Sequence, residues 1–368
     1  MWQQPTHPLR WLIMAAASSV VLMGCGGSDG ADTIPKKQFS SVQVFGDSLA
    51  DSGTFGIKFT APVQNESERL IFADRIAKTY GHTLCPRYRF NGATFDAGVQ
   101  GCTNSAVGGA KINHVLSTNT SVLSIERQLK NAAAAGYSSK DLILIDGGGN
   151  DMADLVQAFL GSFSTDLSTQ VTAGLALNGM LLSKNIAVIT PGDPQAMALA
   201  GNAYVAKLAA DFKAEIKTNV LDRGGQHVVV LGIPALSHVP LVQASLAGVP
   251  EPIRTQFLEI FDGWVKTFNT TLTQSFAGES RVVGVDLYAE MVRQIQNPAQ
   301  YLITNITTPA CLAATQNTLS ATLAVFQSCP YDETKTHYFF SDNFHPTPYL
   351  HGLTAQRISV NLAKAGWL

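Results

Sequence analysis

The sequence predicts an α/β domain with a mainly parallel sheet. Three observations carry that expectation: short aliphatic runs bounded by Gly, Asp or Pro, helix-like stretches between them, and polar glycine-rich loops where two of the runs end. Val42 to Phe45, Leu142 to Ile145, Val228 to Leu231 and Val282 to Val285 read as the strands, because a parallel strand buried on both faces is continuously apolar rather than alternating. Glu68 to Tyr80, Ser124 to Ala135, Ala198 to Val220 and Pro252 to Phe276 read as helices. Ser124 suits an N-cap and Gly136 a stop, and Leu353, Ile358 and Leu362 give the last segment one apolar helical face.

Composition sets the frame for this architecture. Of 368 residues, 46% are hydrophobic and 14% charged, which fits a packed domain rather than a disordered or fibrous chain. Lys and Arg total 25 against 27 Asp and Glu, so there is no basic surplus for a nucleic-acid partner. The 31 Gly and 16 Pro are scattered, which excludes a collagen-like or low-complexity design.

Residues 1–24 stand apart from the domain. Arg10 precedes a mostly apolar run from Trp11 to Met23, too short to span a bilayer and of the length of a signal-peptide core. The run ends in Leu22-Met23-Gly24-Cys25, which resembles the lipobox of bacterial lipoproteins, with Cys25 as the lipidated residue. Gly26 to Asp32 are small and polar, as a tether requires. The expected organisation is therefore a signal peptide over 1–24, a tether over 25–38 and one domain over 39–368. Export to the cell envelope follows, with a lipid anchor to a membrane, and Gly26 after the cysteine points toward the outer one.

Apart from Cys25 there are four cysteines, an even number in a chain read as exported to an oxidising space. Three pairings are open; proximity favours Cys85 with Cys102 and Cys311 with Cys329. No C-x2-C pair is present to build a four-cysteine metal site.

In open parallel sheets ligands bind beyond the carboxyl ends of the strands. There the sequence places Phe45-Gly46-Asp47-Ser48-Leu49-Ala50-Asp51-Ser52-Gly53 and Asp146-Gly147-Gly148-Gly149-Asn150-Asp151. A third polar cluster is Ser341-Asp342-Asn343-Phe344-His345-Pro346-Thr347-Pro348. A serine becomes a nucleophile when a base accepts its proton, and a carboxylate holds that base in the right tautomer. Asp342 and His345, three apart, supply such a pair, and the Asn150 amide and glycine N–H groups supply donors for an oxyanion.

Singly each element is weak, since a Ser after Gly-Asp is commonly a turn residue. Other chemistries fit worse. The glycine run lacks the Gly-Lys-Ser/Thr ending of a phosphate loop, Ser48 lies outside a G-x-S-x-G elbow, and His345 and His351 lack the His-Glu-x-x-His setting of a zinc protease. Asp47, Asp51 and Asp151 read as loop organisers that accept backbone N–H bonds.

Together the pieces resemble the four ordered blocks of the GDSL or SGNH hydrolases. The blocks are Phe45-Gly46-Asp47-Ser48-Leu49, Asn104 to Ala110, Gly149-Asn150-Asp151 and Asp342-x-x-His345, spread over nearly the whole chain after the tether. The segments Asn297 to Tyr301, Thr304 to Thr307 and Tyr338 to Phe340 add likeness to the longer bacterial esterases, lipases and phospholipase-like acyltransferases. The resemblance implies a flavodoxin-like three-layer α/β/α sandwich and a carboxylic ester or lipid substrate, with no metal or organic cofactor. It casts Ser48 as nucleophile, His345 as general base and then acid, and Asp342 as its orienting carboxylate. The backbone N–H groups of Ser48 and Gly109 and the Asn150 amide form the oxyanion hole. Phospholipase, acyltransferase and carbohydrate deacetylase activities share these blocks. The reading from another class is a catalytically silent envelope lipoprotein. Phe159, Phe163, Leu302, Leu319 and Phe326 fall in the segments expected to wall the pocket, either as acyl-channel lining or as core.

Overall fold

A computed structural model describes residues 37–96, 98–112, 121–311 and 318–368. The expected signal peptide, Cys25 and most of the tether lie outside the described residues.

The four aliphatic runs become β1 (Ser41–Phe45), β2 (Asp141–Ile145), β3 (Val228–Leu231) and β4 (Val282–Val285), all parallel and in the order β1-β2-β3-β4. Val42 faces Leu142, Leu144 faces Val229, and Val229 faces Val283. On the free side of β1 the segment through Asn104 runs parallel to it. Val44 N–H donates to Thr103 O (3.0 Å) and Ser105 N–H to Val44 O (2.8 Å). This segment follows β1 in sequence but lies on the opposite side from β2, so the strand order reverses at β1. Such a reversal leaves a crevice at the carboxyl ends of β1 and β2.

Alternate side chains of the central strands go to opposite cores. Leu142, Leu144, Val229 and Leu231 pack with α1 (Phe72–Thr79) and α10 (Pro348–Lys364). Ile143, Ile145, Val228 and Val230 pack against the other layer, built from α2 (Ile125–Ala133), α3 (Gly149–Gly161), α4 (Leu167–Ser183), α5 (Pro194–Asn219) and α7 (Ile253–Ser275). The result is the three-layer α/β/α sandwich. Burial on both faces explains the unbroken aliphatic runs of β2 and β3, whereas β1 alternates and β4 is largely half-buried; each buried Val, Leu or Ile side chain contributes about 1.5–3 kcal/mol by leaving water. The remaining helices are α6 (Pro240–Ser245), α8 (Leu287–Gln296) and α9 (Leu319–Ser328).

Local capping shifts several expected boundaries. Helix α1 starts at Phe72 rather than Glu68, because Asn65 caps a separate 3-10 turn over Glu66–Glu68 and Ile71 is extended. Helix α5 starts at Pro194 rather than Ala198, where the Asp193 carboxylate accepts the Gln195 and Ala196 N–H groups. Ser124 does cap α2, accepting the Arg127 N–H.

The cysteines pair as Cys85 with Cys102 and Cys311 with Cys329. The first ties down the stretch leading into Asn104, and the second spans α9. No helix among the described residues is long and apolar enough to cross a membrane.

Candidate active site

Three loops converge at the crevice. The first leaves β1 through Gly46, whose φ of +149° is poorly suited to other residues and whose added Cβ would stand 1.4 Å from Asp146 Oδ1. Gln128 on α2 clamps the same residue from both sides, accepting its N–H (2.9 Å) and donating to its carbonyl (3.0 Å). Ser48 is thereby presented on a turn whose backbone is fixed before and after it: Asp47 Oδ1 accepts the Leu49 N–H at 3.0 Å.

The third loop brings His345 to Ser48. His345 Nε2 lies 2.8 Å from Ser48 Oγ, and Nδ1 lies 2.9 and 3.0 Å from the Asp342 carboxylate oxygens. An ionised carboxylate only accepts, so Nδ1 carries the hydrogen and Nε2 is left to accept from the serine hydroxyl. Burial works to raise the Asp342 carboxyl, but the facing His345 and the His345 and Phe344 N–H groups outweigh it and hold it below the usual range. Those backbone bonds, 2.6 and 2.9 Å to Oδ1, fold the three-residue spacing into a turn. Ser341 Oγ closes the loop by accepting the Ala61 N–H and donating to Pro346 O, each at 2.8 Å. Ser48 is only 3% exposed and His345 6%, so the contact is dry. Phe59, Phe326 and Phe344 surround the imidazole, with ring centroids 5.2, 5.7 and 5.6 Å away.

Further hydrogen-bond donors lie in the Asn104–Ala110 segment and at the start of α3. Asp51 accepts the N–H groups of Gly53 (2.8 Å), Thr54 (2.7 Å) and Gly108 (2.9 Å), joining the first loop to the Asn104–Ala110 segment. The Gly108 N–H is thus occupied, whereas those of Gly109 and Ser48 have no protein acceptor among the described residues. Asn104 braces the block, donating from Nδ2 to Ala50 O (2.7 Å) and accepting the Ala106 N–H (3.0 Å). Asn150, in the first turn of α3, donates one Nδ2 hydrogen to Ala110 O at 3.0 Å and keeps its second for a ligand. Asp151 Oδ2 accepts the Ile112 N–H at 2.9 Å. The three aspartates read as loop organisers each hold backbone N–H groups in this way.

With the strand order, the three loops and the Ser48–His345–Asp342 contacts in place, the chain can be set beside known proteins. The family model described as GDSL-like lipase/acylhydrolase matches residues 42–358. The chain belongs to that family. Among solved structures it is similar to an extracellular lipase from Streptomyces rimosus, at 13% identity and a TM-score of 0.41, covering 87% of this chain and 99% of that one. A phospholipase A1 from Streptomyces albidoflavus is similar at 14% identity and a TM-score of 0.40, with 88% and 99% covered. No curated protein matches the chain.

Several residues of this GDSL-family site carried no usable signal in the sequence. Asp146 follows β2 directly, and its Oδ1 accepts the Asp47 N–H at 3.3 Å. Burial raises both Asp47 and Asp146, and the neighbouring Asp47 charge raises Asp146 further. Gln128 and Phe59 likewise reach the site only through tertiary contacts. His351 stands apart from the site: its Nδ1 accepts the Phe72 N–H at 3.3 Å and burial lowers it to about 3, so it is a neutral link between α10 and α1. Of the expected channel residues, Phe159 is core and Phe163 packs on it, Leu302 is exposed, Leu319 packs beside Phe326, and Phe326 covers His345. Among the described residues no group of three His, Cys, Asp or Glu side chains is placed to hold a metal ion.

Proposed function

We propose that this GDSL-family chain is a serine hydrolase that cleaves carboxylic esters through an acyl-serine intermediate. The observation that carries the reading is the unbroken line of contacts from the Asp342 carboxylate through His345 to Ser48 Oγ, buried at the crevice.

Ser48 Oγ attacks the ester carbonyl carbon while His345 Nε2 takes its proton. The negative charge that develops on the carbonyl oxygen is met by the Ser48 and Gly109 N–H groups and the free Nδ2 hydrogen of Asn150. Asp342 stabilises the imidazolium and holds its tautomer. Collapse breaks the ester C–O bond, His345 returns the proton to the leaving alkoxide, and the acyl group stays on Ser48. Water repeats the sequence with His345 as base, releasing the acid and restoring the serine; an alcohol in its place gives acyl transfer. The Asp342–His345–Ser48 contacts support this reading, because a base already within reach of the serine proton needs little reorganisation.

The same reading takes the chain outside the cytoplasm, exported by residues 1–24 and held to a membrane by lipid on Cys25. Cys25→Ala should move it from the membrane to the soluble fraction on cell fractionation. The catalytic reading is tested by p-nitrophenol release from acetate, butyrate, octanoate and palmitate esters, with Ser48→Ala in parallel. Turnover lost in the variant supports it. A folded chain that turns over none of the four would favour the silent envelope lipoprotein.

A further inference from the structure

Of the 10 residues of α9 only Phe326 is buried, and its ring covers the His345 imidazole. Leu319, Leu323 and Val325 lie half-buried around it in a small apolar cluster with Phe59 and the Cys311–Cys329 pair, separate from the two cores of the sandwich. Phe59 meets Phe326 edge to face at 6.1 Å and also lies against Gly108, where an added Cβ would stand 2.2 Å from its Cζ. One small cluster therefore touches both the base and the segment that carries the Gly109 donor.

The disulfide is the covalent tie of this cover. Cys329 follows α9 directly, and Cys311 lies along the run that leads into Asp342: its N–H donates to Ser341 O and the Ala310 N–H to Phe340 O, each at 2.8 Å. A helix with one buried side chain has little packing of its own to hold it, so the bond supplies much of the restraint. The bond is also within reach of solvent. Cys329 is half-buried and lines an open groove of ≈ 440 Å³ with Pro330, Lys335 and Thr336, while Cys311 is buried.

We infer that Phe326 is a positioning residue for the reaction, held over His345 by the Cys311–Cys329 disulfide, and that opening this bond lowers turnover while the sandwich stays folded. The inference rests on the hydrolase reading and adds to it control by a dithiol. An apolar cover keeps water from competing for the Asp342 carboxylate and for His345 Nε2, so the charge that forms on the imidazole meets Asp342 in a dry setting. A dithiol removes that cover in balanced steps. Its thiolate attacks Cys329 Sγ, Cys311 leaves as the thiolate, and the second thiol of the reagent then frees Cys329 by closing a disulfide of its own. The cysteine pair is reduced, the dithiol is oxidised, and α9 is left held by packing alone.

The test adds dithiothreitol in steps to the full chain and maps the freed thiols by alkylation and mass spectrometry. At each step p-nitrophenyl acetate turnover and the rate of Ser48 labelling by a fluorophosphonate are read, with circular dichroism to report the fold. Both rates should fall about tenfold in step with the opening of Cys311–Cys329. Phe326→Ala with its disulfide intact should show the same loss, and opening the bond in that variant should add nothing. Phe326→Leu, which keeps an apolar cover, should restore most of the rate, an outcome that a merely structural bond would not produce. Full activity after the bond opens, a loss that follows Cys85–Cys102 instead, or losses from Phe326→Ala and from reduction that multiply would overturn the inference and leave the hydrolase reading standing. A rise in rate on opening would show α9 to obstruct the site and also overturn it. Oxidised wild-type protein that cleaves no ester and takes no label at Ser48 would overturn the hydrolase reading itself.

Discussion

The loops around Ser48 and the outer face of α4 are built by opposite means. Around Ser48 the buried polar side chains are tied to backbone: Asp51 to three N–H groups, Asn104 to two backbone groups, Asp342 to a two-residue turn and an imidazole. On α4 the outward side chains are uncharged and largely exposed, with Leu167, Val171, Leu175 and Leu182 among Ser168, Thr169, Gln170 and Thr172. The difference teaches where sequence change is costly. In a dry polar network a lost partner leaves a buried group unsatisfied, at about 1–3 kcal/mol, whereas an exposed face can change with little cost to folding.

That contrast breaks down or sharpens under substitution. Ser48→Ala should have the largest effect, lowering turnover by about six orders of magnitude, the scale of losing a serine nucleophile, with the thermal midpoint little changed. Asp342→Asn should cost about four orders, because an amide in place of the carboxylate stabilises the wrong imidazole tautomer. Steady-state rates on the acetate ester separate the two. Asn150→Ala should cost about two to three orders, the usual loss for one oxyanion donor, and an undiminished rate would remove Asn150 from the mechanism.

A smaller effect is expected at Asp51. Burial raises it from the usual 3.8 to about 6 despite its three N–H partners. An acid raised in the folded state holds its proton there in preference to the unfolded chain. Its contribution to stability is therefore full below about pH 3.8 and is lost as pH rises through about 6, a change of about 3 kcal/mol over that window. Asp51→Asn should remove this slope from urea midpoints measured between pH 4 and 7. It should also lower turnover, since the Asn amide turns an N–H toward the Gly108 N–H and disturbs the Gly109 donor. A wild-type slope retained in the variant would place the titration elsewhere.

Legibility in the sequence followed the same division. The central strands β2 and β3 were readable because burial on both faces leaves an aliphatic run, and Ser48, Asn150, Asp342 and His345 because each sits in a short block whose neighbours fold it locally. Gln128 was not, and Asp146 only as the head of its loop, since each meets Gly46 across more than eighty residues and nothing beside them in sequence records that contact. The parallel segment at Asn104 was missed as well: it joins β1 through a few backbone bonds and has no aliphatic run of its own. Helix α4 was hidden for the reverse reason. With aliphatic residues on both its buried and its exposed sides, it shows no single apolar face from which an amphipathic helix is read.

The central claim is that His345 and Asp342 make Ser48 nucleophilic, and covalent labelling tests it most directly. Brief treatment of the full chain with a fluorophosphonate, followed by digestion and mass spectrometry, should yield one adduct on the peptide containing Ser48. The adduct should be absent in Ser48→Ala and formed far more slowly in His345→Ala. A folded wild-type chain that gives no adduct, or one on another residue that persists in Ser48→Ala, would contradict the account.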